Sequence, residues 1–299
     1  MKRQAPVRAS AEIVACAEKA QNLFANEQPQ AALALIEEGL QKSDHARLWR
    51  QKARLLVFFE REAEATELLS RILMNVWLPG FWELAQSGLP LSYALLAKTQ
   101  KVAYFPVRKC ACTSLHNVMA VLEGHAPKGE DIHDSVAQYS LIDRSQQREH
   151  LAEYFSVLIV RSPIDRIRSF YEGNIKMRDH LVRDSGGKDS FCGLSTRPNY
   201  HEFLEQFHAY RRTFATVRNH TDALVDYVGR DASLFDWVGG VGQTSELIDM
   251  LSERSGMKLP KLQDMQAGGS AERKAAYNKH EQALVDHYKA DYEAFGRWF

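Results

Sequence analysis

No stretch of this chain approaches the roughly 18 to 20 consecutive apolar residues that a membrane-spanning helix needs. The opening MKRQAPVRASAEIVACAEKA has early basic residues but no continuous apolar run behind them, so it does not read as a secretory signal. Cysteine is scarce as well. Cys16, Cys110, Cys112 and Cys192 are too few and too scattered for a disulfide framework in 299 residues, and they suit a reducing compartment. Together these absences point to a cytoplasmic address with no transmembrane segment. Cys110 and Cys112 stand one residue apart without a neighbouring His/Cys cluster to complete a zinc site, so no metal is expected. Net charge is missing too, since 38 basic residues balance 38 acidic ones. Nothing global therefore attracts nucleic acid or an anionic membrane, and any anion site must be built locally.

What is present is ordinary globular composition, 45% hydrophobic and 25% charged, in a length that allows one large or two modest domains. From residue 11 to 74, apolar residues recur at three- and four-residue intervals through AEIVACAEKAQNLFANE, QPQAALALIEEGLQKS, HARLWRQKARLLVFFER and EAEATELLSRIL, which predicts two antiparallel helical hairpins. A shift of about 33 residues lays Ala20 on Ala53, Phe24 on Val57, Ala32 on Ala65, Ile36 on Leu69 and Leu40 on Leu73. Small residues recur where two helices must approach closely, and large ones where a hairpin needs filler. The region resembles tetratricopeptide (TPR) repeats; a plain helical bundle is the other reading. Residues 75–99, with two Leu-Pro pairs, Gly80 and Gly88, break the period and read as a linker.

Beyond it the pattern changes. KVAYFPV reads as a short apolar strand, followed by a turn of small residues and a helix from about Ser114 to Glu123. YFSVLIV, residues 154–160, is nearly continuous in β-branched and aromatic residues, as a central parallel strand covered on both faces would be. Its successor opens a helix with Pro163 in the first turn, where a missing N–H costs little. Two strand-to-helix units predict an α/β fold on a parallel sheet. Residues 1–98 are thus read as a helical domain with its linker, and 99–299 as the catalytic domain.

The junction Arg108-Lys109-Cys110-Ala111-Cys112-Thr113-Ser114 is the first informative site. Small residues between a strand and a helix let successive backbone N–H groups converge on one phosphate, and the helix N-terminus adds a favourable dipole. Thr113 or Ser114 should cap the helix, and Lys109 supplies a mobile cation for a leaving phosphate. A triphosphate loop, G-x-x-x-x-G-K-[ST], is absent, and the lysine here precedes the small residues. The second site runs from Arg161 to Tyr171. Arg161 offers a planar, permanently charged fork at a strand's end, and Ser169 lies eight residues on, about two helical turns, so its hydroxyl can reach the same phosphate. Arg166 is read as a brace for the loop or a partner for an acid.

These loops resemble those of the carbohydrate sulfotransferases. The first stands where that family reads P-K-x-[AG]-[CG]-T-[NS]-[WL], with Arg108 in place of the proline. The second matches V-R-[DE]-P-x-x-R-x-x-S-x-[YF] at Arg161, Pro163, Arg166, Ser169 and Tyr171. The ending Tyr288-x-x-Asp291-x-x-x-Phe295-Gly296 is similar to the family's Y-x-x-D-x-x-x-F-G, and its aromatics share one helix face, which reads as packing.

The resemblance implies a P-loop-like fold, sulfuryl transfer from 3′-phosphoadenosine-5′-phosphosulfate (PAPS) to a hydroxyl on a carbohydrate, release of adenosine 3′,5′-bisphosphate (PAP), and no metal. It implies donor binding by Arg108 through Ser114 with Arg161 and Ser169, and catalysis by Lys109 and a histidine base. Of eleven histidines only His116 and His133 fall between the loops. His116, inside the predicted helix, reads as packed; His133, with Asp131 or Asp134 to orient its ring, is the expected base. The N-terminal helices would hold a protein partner or orient a large acceptor. A helical adaptor with an inactive sulfotransferase-like half is the rival reading, and a small-molecule nucleotide kinase is disfavoured by the missing triphosphate loop.

Overall fold

The computed structural model describes residues 9–75, 91–126, 139–260 and 278–299. Helices α1 (Ala11–Ala25), α2 (Pro29–Lys42), α3 (Ala46–Phe58) and α4 (Glu62–Asn75) come first, then β1 (Leu91–Ala97), β2 (Val102–Phe105), α5 (Cys112–Leu122), β3 (Tyr139–Asp143), α6 (Gln147–His150), β4 (Phe155–Val160) and α7 (Pro163–Phe170). After a π-helical turn (Tyr171–Lys176) follow α8 (His180–Asp184), β5 (Ser190–Phe191), β6 (Leu194–Ser195), α9 (Tyr200–Glu205), α10 (Phe207–Thr213), α11 (Ala215–Thr221) and α12 (Leu224–Val228). The chain ends with β7 (Trp237–Gly240), α13 (Thr244–Ser255), α14 (Lys279–His287) and α15 (Lys289–Phe295). Two compact units result, Met1–Leu89 with Tyr171–Asn219, and Pro90–Phe170 with His220–Phe299.

In the first unit, α1 to α4 fill the span where the apolar period predicts helices. Ser10 caps α1 by accepting from Ile13 N at 3.4 Å, and Pro29 opens α2 where its missing N–H costs nothing. Among the residues superimposed by the 33-residue shift, Ala20 and Ala53, Ala32 and Ala65, and Ile36 and Leu69 are all at most 2% exposed. The backbone repeats as well. Glu27 N bonds Phe24 O and Gln28 N bonds Leu23 O at the α1–α2 turn; Glu60 N bonds Val57 O and Arg61 N bonds Leu56 O at the α3–α4 turn. Glu27 and Glu60 both adopt left-handed backbones, with φ of 59° and 62°.

The same two turns hold the segment from residue 171 to 219. Lys188 Nζ donates to Ala25 O at 2.7 Å and pairs with Glu27 at 2.9 Å, while Cys192 N donates to the other Glu27 oxygen at 3.1 Å. Arg212 pairs with Glu60 at 3.0 Å. Phe191 meets the edge of Phe24 with ring centroids 5.6 Å apart.

The second unit is built on a five-stranded sheet in the order β3-β1-β2-β4-β7. Strands β2, β4 and β7 are parallel, but β1 runs antiparallel to both β2 and β3, so the sheet is mixed where the sequence predicts a parallel one. The difference arises in LSYALLA, residues 91–97, which reads as the end of a linker and is in fact β1. The few residues between Ala97 and Val102 permit only a hairpin return, with Lys101 left-handed at φ 51°, and a hairpin makes its strands antiparallel. β2 is buried throughout and Val157 to Val160 of β4 are 0% exposed, as central strands covered on both faces should be. At the end of β7, a Cβ added to Gly240 would sit 2.7 Å from the Trp298 carbonyl oxygen, so the C-terminal residues pack against bare backbone.

Candidate active site

The register Phe105↔Leu158 lays the ends of β2 and β4 side by side. Because these strands are parallel, the chain leaves both at the same edge of the sheet, the edge at which open α/β sheets bind ligands.

From β2 the chain enters a tight loop. Cys110 N bonds Val107 O at 3.2 Å, and Lys109 and Ala111 both have left-handed backbones, with φ of 64° and 56°. Such conformations cost a non-glycine residue about 1–2 kcal/mol each, and strain of this kind clusters at binding sites. Left-handed residues of this kind, next to right-handed ones, are the backbone pattern of the amide concavities that receive anions.

Helix α5 begins at Cys112, two residues before the start expected at Ser114. Its N-cap is Ala111, and no side chain caps it. Thr113 and Ser114, expected to provide the cap, lie inside the first turn instead, because the left-handed Ala111 starts the helix early. The first α-helical bond is Leu115 N to Ala111 O at 3.1 Å. The amides of Cys112, Thr113 and Ser114 precede it and point out of the helix start, where the dipole favours negative charge. Arg108, Lys109, Ala111, Cys112, Thr113 and Ser114 are all partly exposed. Cys110 is fully buried, and burial pushes its thiol up to about 12 against the downward pull of Arg166 and Arg161, so it fills space as a neutral thiol.

His116, in the interior of α5, is 3% exposed and sits edge-on to Tyr104. Its Nδ1–H donates to Cys112 O at 2.5 Å, which fixes the tautomer and makes it a packed histidine, as the sequence suggests. His133, Asp131 and Asp134 lie outside the described residues.

From β4 the chain enters the second loop. Ser162 Oγ accepts from Asp165 N at 3.2 Å and donates to Asp165 Oδ2 at 3.0 Å, closing the start of α7 around Pro163. Arg161 is partly exposed, and its Nη1 donates to Lys109 O at 3.5 Å. The two loops, 52 residues apart in sequence, therefore meet through that bond. Ser169 occupies the last turn of α7 and is partly exposed.

Arg166 does brace the first loop. It is 1% exposed, and its Nε donates to Arg108 O at 3.2 Å, its Nη1 to Asp222 O at 2.8 Å and its Nη2 to His220 O at 3.4 Å. Arg168 instead forks onto Glu281 of α14 at 2.6 and 2.7 Å. The residues that sequence reasoning missed are those behind Arg166. Asp291 is 0% exposed and accepts from Leu224 N at 2.7 Å and Val225 N at 3.0 Å, while Tyr288 OH donates to Thr221 O. Their signal was the Tyr-x-x-Asp spacing, which puts both on one face of the helical C-terminus.

Among the described residues, no group of three or more His, Cys, Asp or Glu side chains is arranged to hold a metal ion, and no helix is long and apolar enough to cross a membrane. No curated protein and no solved structure matches the chain. The model of the sulfotransferase family matches residues 92–296, which takes in the whole described sheet except Leu91 together with both loops, and the chain belongs to that family.

Proposed function

We propose that this protein transfers a sulfuryl group from PAPS to a hydroxyl on a carbohydrate acceptor. The observation that carries the reading is the meeting of Arg161 with the Lys109 carbonyl, since one donor with phosphates at both ends needs both loops in one place. The residues fit such a donor: an uncapped helix start behind two left-handed residues suits the 5′-phosphosulfate, and a partly exposed arginine at the end of β4 suits the 3′-phosphate. When bound, PAPS supplies an activated sulfuryl group whose departure leaves negative charge on the 5′-phosphate.

The chain's own groups do the rest. The amides of Lys109 and of Ala111 through Ser114 hold the 5′ end, and the Lys109 ammonium neutralises charge as it builds there. Arg161 and the Ser169 hydroxyl hold the 3′-phosphate. His133 takes the acceptor's proton as the hydroxyl attacks in line, a role supported by the resemblance and by its position between the loops.

The test uses radiolabelled donor with a panel of glycans and small hydroxyl compounds. Label should pass to a saccharide with the wild-type protein. His133→Ala should abolish transfer while leaving PAP affinity within about threefold, and Lys109→Ala should weaken both binding and rate. Wild-type turnover in His133→Ala removes that residue from the mechanism, and absence of PAP binding by the wild type rejects the whole reading in favour of an inactive adaptor.

A further inference from the structure

The Arg108–Lys109 peptide is planar and trans, so its carbonyl and the Lys109 N–H point in opposite directions. Whatever pins the carbonyl also aims the amide. The pin is the Arg166 Nε–H, 3.2 Å from Arg108 O, and it points that carbonyl into the interior. The Lys109 N–H is thereby turned away from Arg166.

Arg166 is itself held in place. Its guanidinium is spread over the carbonyls of Asp222 and His220, and its carbon lies 5.5 Å from the centroid of the Tyr227 ring. Those carbonyls belong to the last turn of α11 and the link to α12, which the C-terminal helices grip from the far side. Asp291 receives the amides of Leu224 and Val225, and Tyr288 bonds the Thr221 carbonyl. Burial pushes the Asp291 carboxyl above its ordinary range, against the pull of the Leu224 and Val225 amides and of the Arg166 guanidinium.

We propose that Tyr288 and Asp291 act with Arg166 as one positioning device for the anion loop, so that the C-terminal Tyr-x-x-Asp sets the aim of the Lys109 amide and with it the affinity for the donor. None of the three is a catalytic residue. Lysine cannot replace Arg166, because a point ammonium cannot reach three carbonyls fanned around a planar fork.

This rests on the sulfuryl-transfer reading, and the experiment separates the two. Arg166→Lys, Asp291→Asn and Tyr288→Phe are melted to find a temperature at which each is folded. PAP affinity is then measured by calorimetry, and donor and acceptor KM by initial rates. Arg166→Lys should weaken PAP binding and raise donor KM by about tenfold, and Asp291→Asn should do so by about threefold, with acceptor KM moved less than about twofold in both. A purely structural role would lower the melting temperature and leave donor affinity alone. PAP affinity within about twofold of wild type in folded Arg166→Lys overturns the proposal. If that variant does not fold, unchanged affinity in both Asp291→Asn and Tyr288→Phe overturns it instead. A wild type that fails to bind PAP sinks the functional reading and the positioning role together, whereas a binding wild type with unaffected variants sinks the positioning role alone.

Discussion

Removing the guanidinium of Arg168 should cost the second unit about 2–3 kcal/mol. Glu281 is 1% exposed, and its two oxygens take Arg168 Nε at 2.6 Å and Nη2 at 2.7 Å. At the start of α14, Asn278 N also donates to Oε2 at 3.0 Å. Arg168→Met would take a forked guanidinium away from a carboxylate held out of water, a loss of roughly 3–5 kcal/mol when both partners are buried. The Arg168 side chain retains 21% exposure, so solvent shares the pair and the figure is reduced to about 2–3 kcal/mol. Glu281→Gln keeps an acceptor for Asn278, and the Arg168 guanidinium keeps Asp165 at 3.6 Å and can reach water, so it should cost about 1–2 kcal/mol. At roughly 2–4 °C per kcal/mol for a unit of this size, Arg168→Met should lower the melting transition by about 4–12 °C. Calorimetry on both single variants and the double variant closes the cycle, with an expected coupling of about 1–2 kcal/mol that added salt barely screens. A coupling below about 0.5 kcal/mol, or one that vanishes in salt, would show that the fork contributes no more than a surface pair.

Burial raises the Cys110 thiol from 9.0 to about 12, so above pH 9 the unfolded chain releases a proton that the folded one keeps. Stability must then fall as pH rises toward 12, and Cys110→Ala should flatten the decline in urea midpoint between pH 9 and 10. Iodoacetamide at pH 8 should label Cys112 in the folded protein and spare Cys110, with mass spectrometry of the peptides as the readout. Gly240→Ala would put a methyl 2.7 Å from the Trp298 carbonyl, backbone that cannot swing aside, and should destabilise by about 1–3 kcal/mol; an unchanged urea midpoint would refute that close approach.

Much of the second unit could be read from sequence because its signals are local. A run such as SVLIV admits little besides a buried strand, and a strand running into small residues and then a helix is already an anion loop in outline. β1 was hidden because LSYALLA follows two Leu-Pro pairs, whose turn chemistry dominates the local pattern, and because antiparallel pairing depends on the hairpin after it. The helix start at Cys112 was hidden for a related reason. Ser and Thr are the usual caps, and only a left-handed Ala111, a conformation no propensity predicts for alanine, moves the boundary back. The role of Arg166 was half legible: its spacing marks it as part of a motif, but its partners are backbone carbonyls 54 to 58 residues away, and carbonyls leave no trace in a sequence.

The N-terminal helices show a further limit of reading along the chain. Their 33-residue period is a backbone fact, since the turn bonds at Glu27 recur at Glu60. A left-handed turn at the mouth of each hairpin presents a carboxylate, and a basic residue from the 171–219 segment meets each one, Lys188 at Glu27 and Arg212 at Glu60. That segment lies inside the stretch matched by the sulfotransferase family, yet it folds with the helices. Each ion pair is partly exposed and adds little by itself, so the attachment depends on what lies beneath, the Phe24–Phe191 contact and the Lys188 bond to Ala25 O. An amphipathic repeat must bury its apolar side against something, and here the chain supplies part of that cover itself from a point well over a hundred residues downstream.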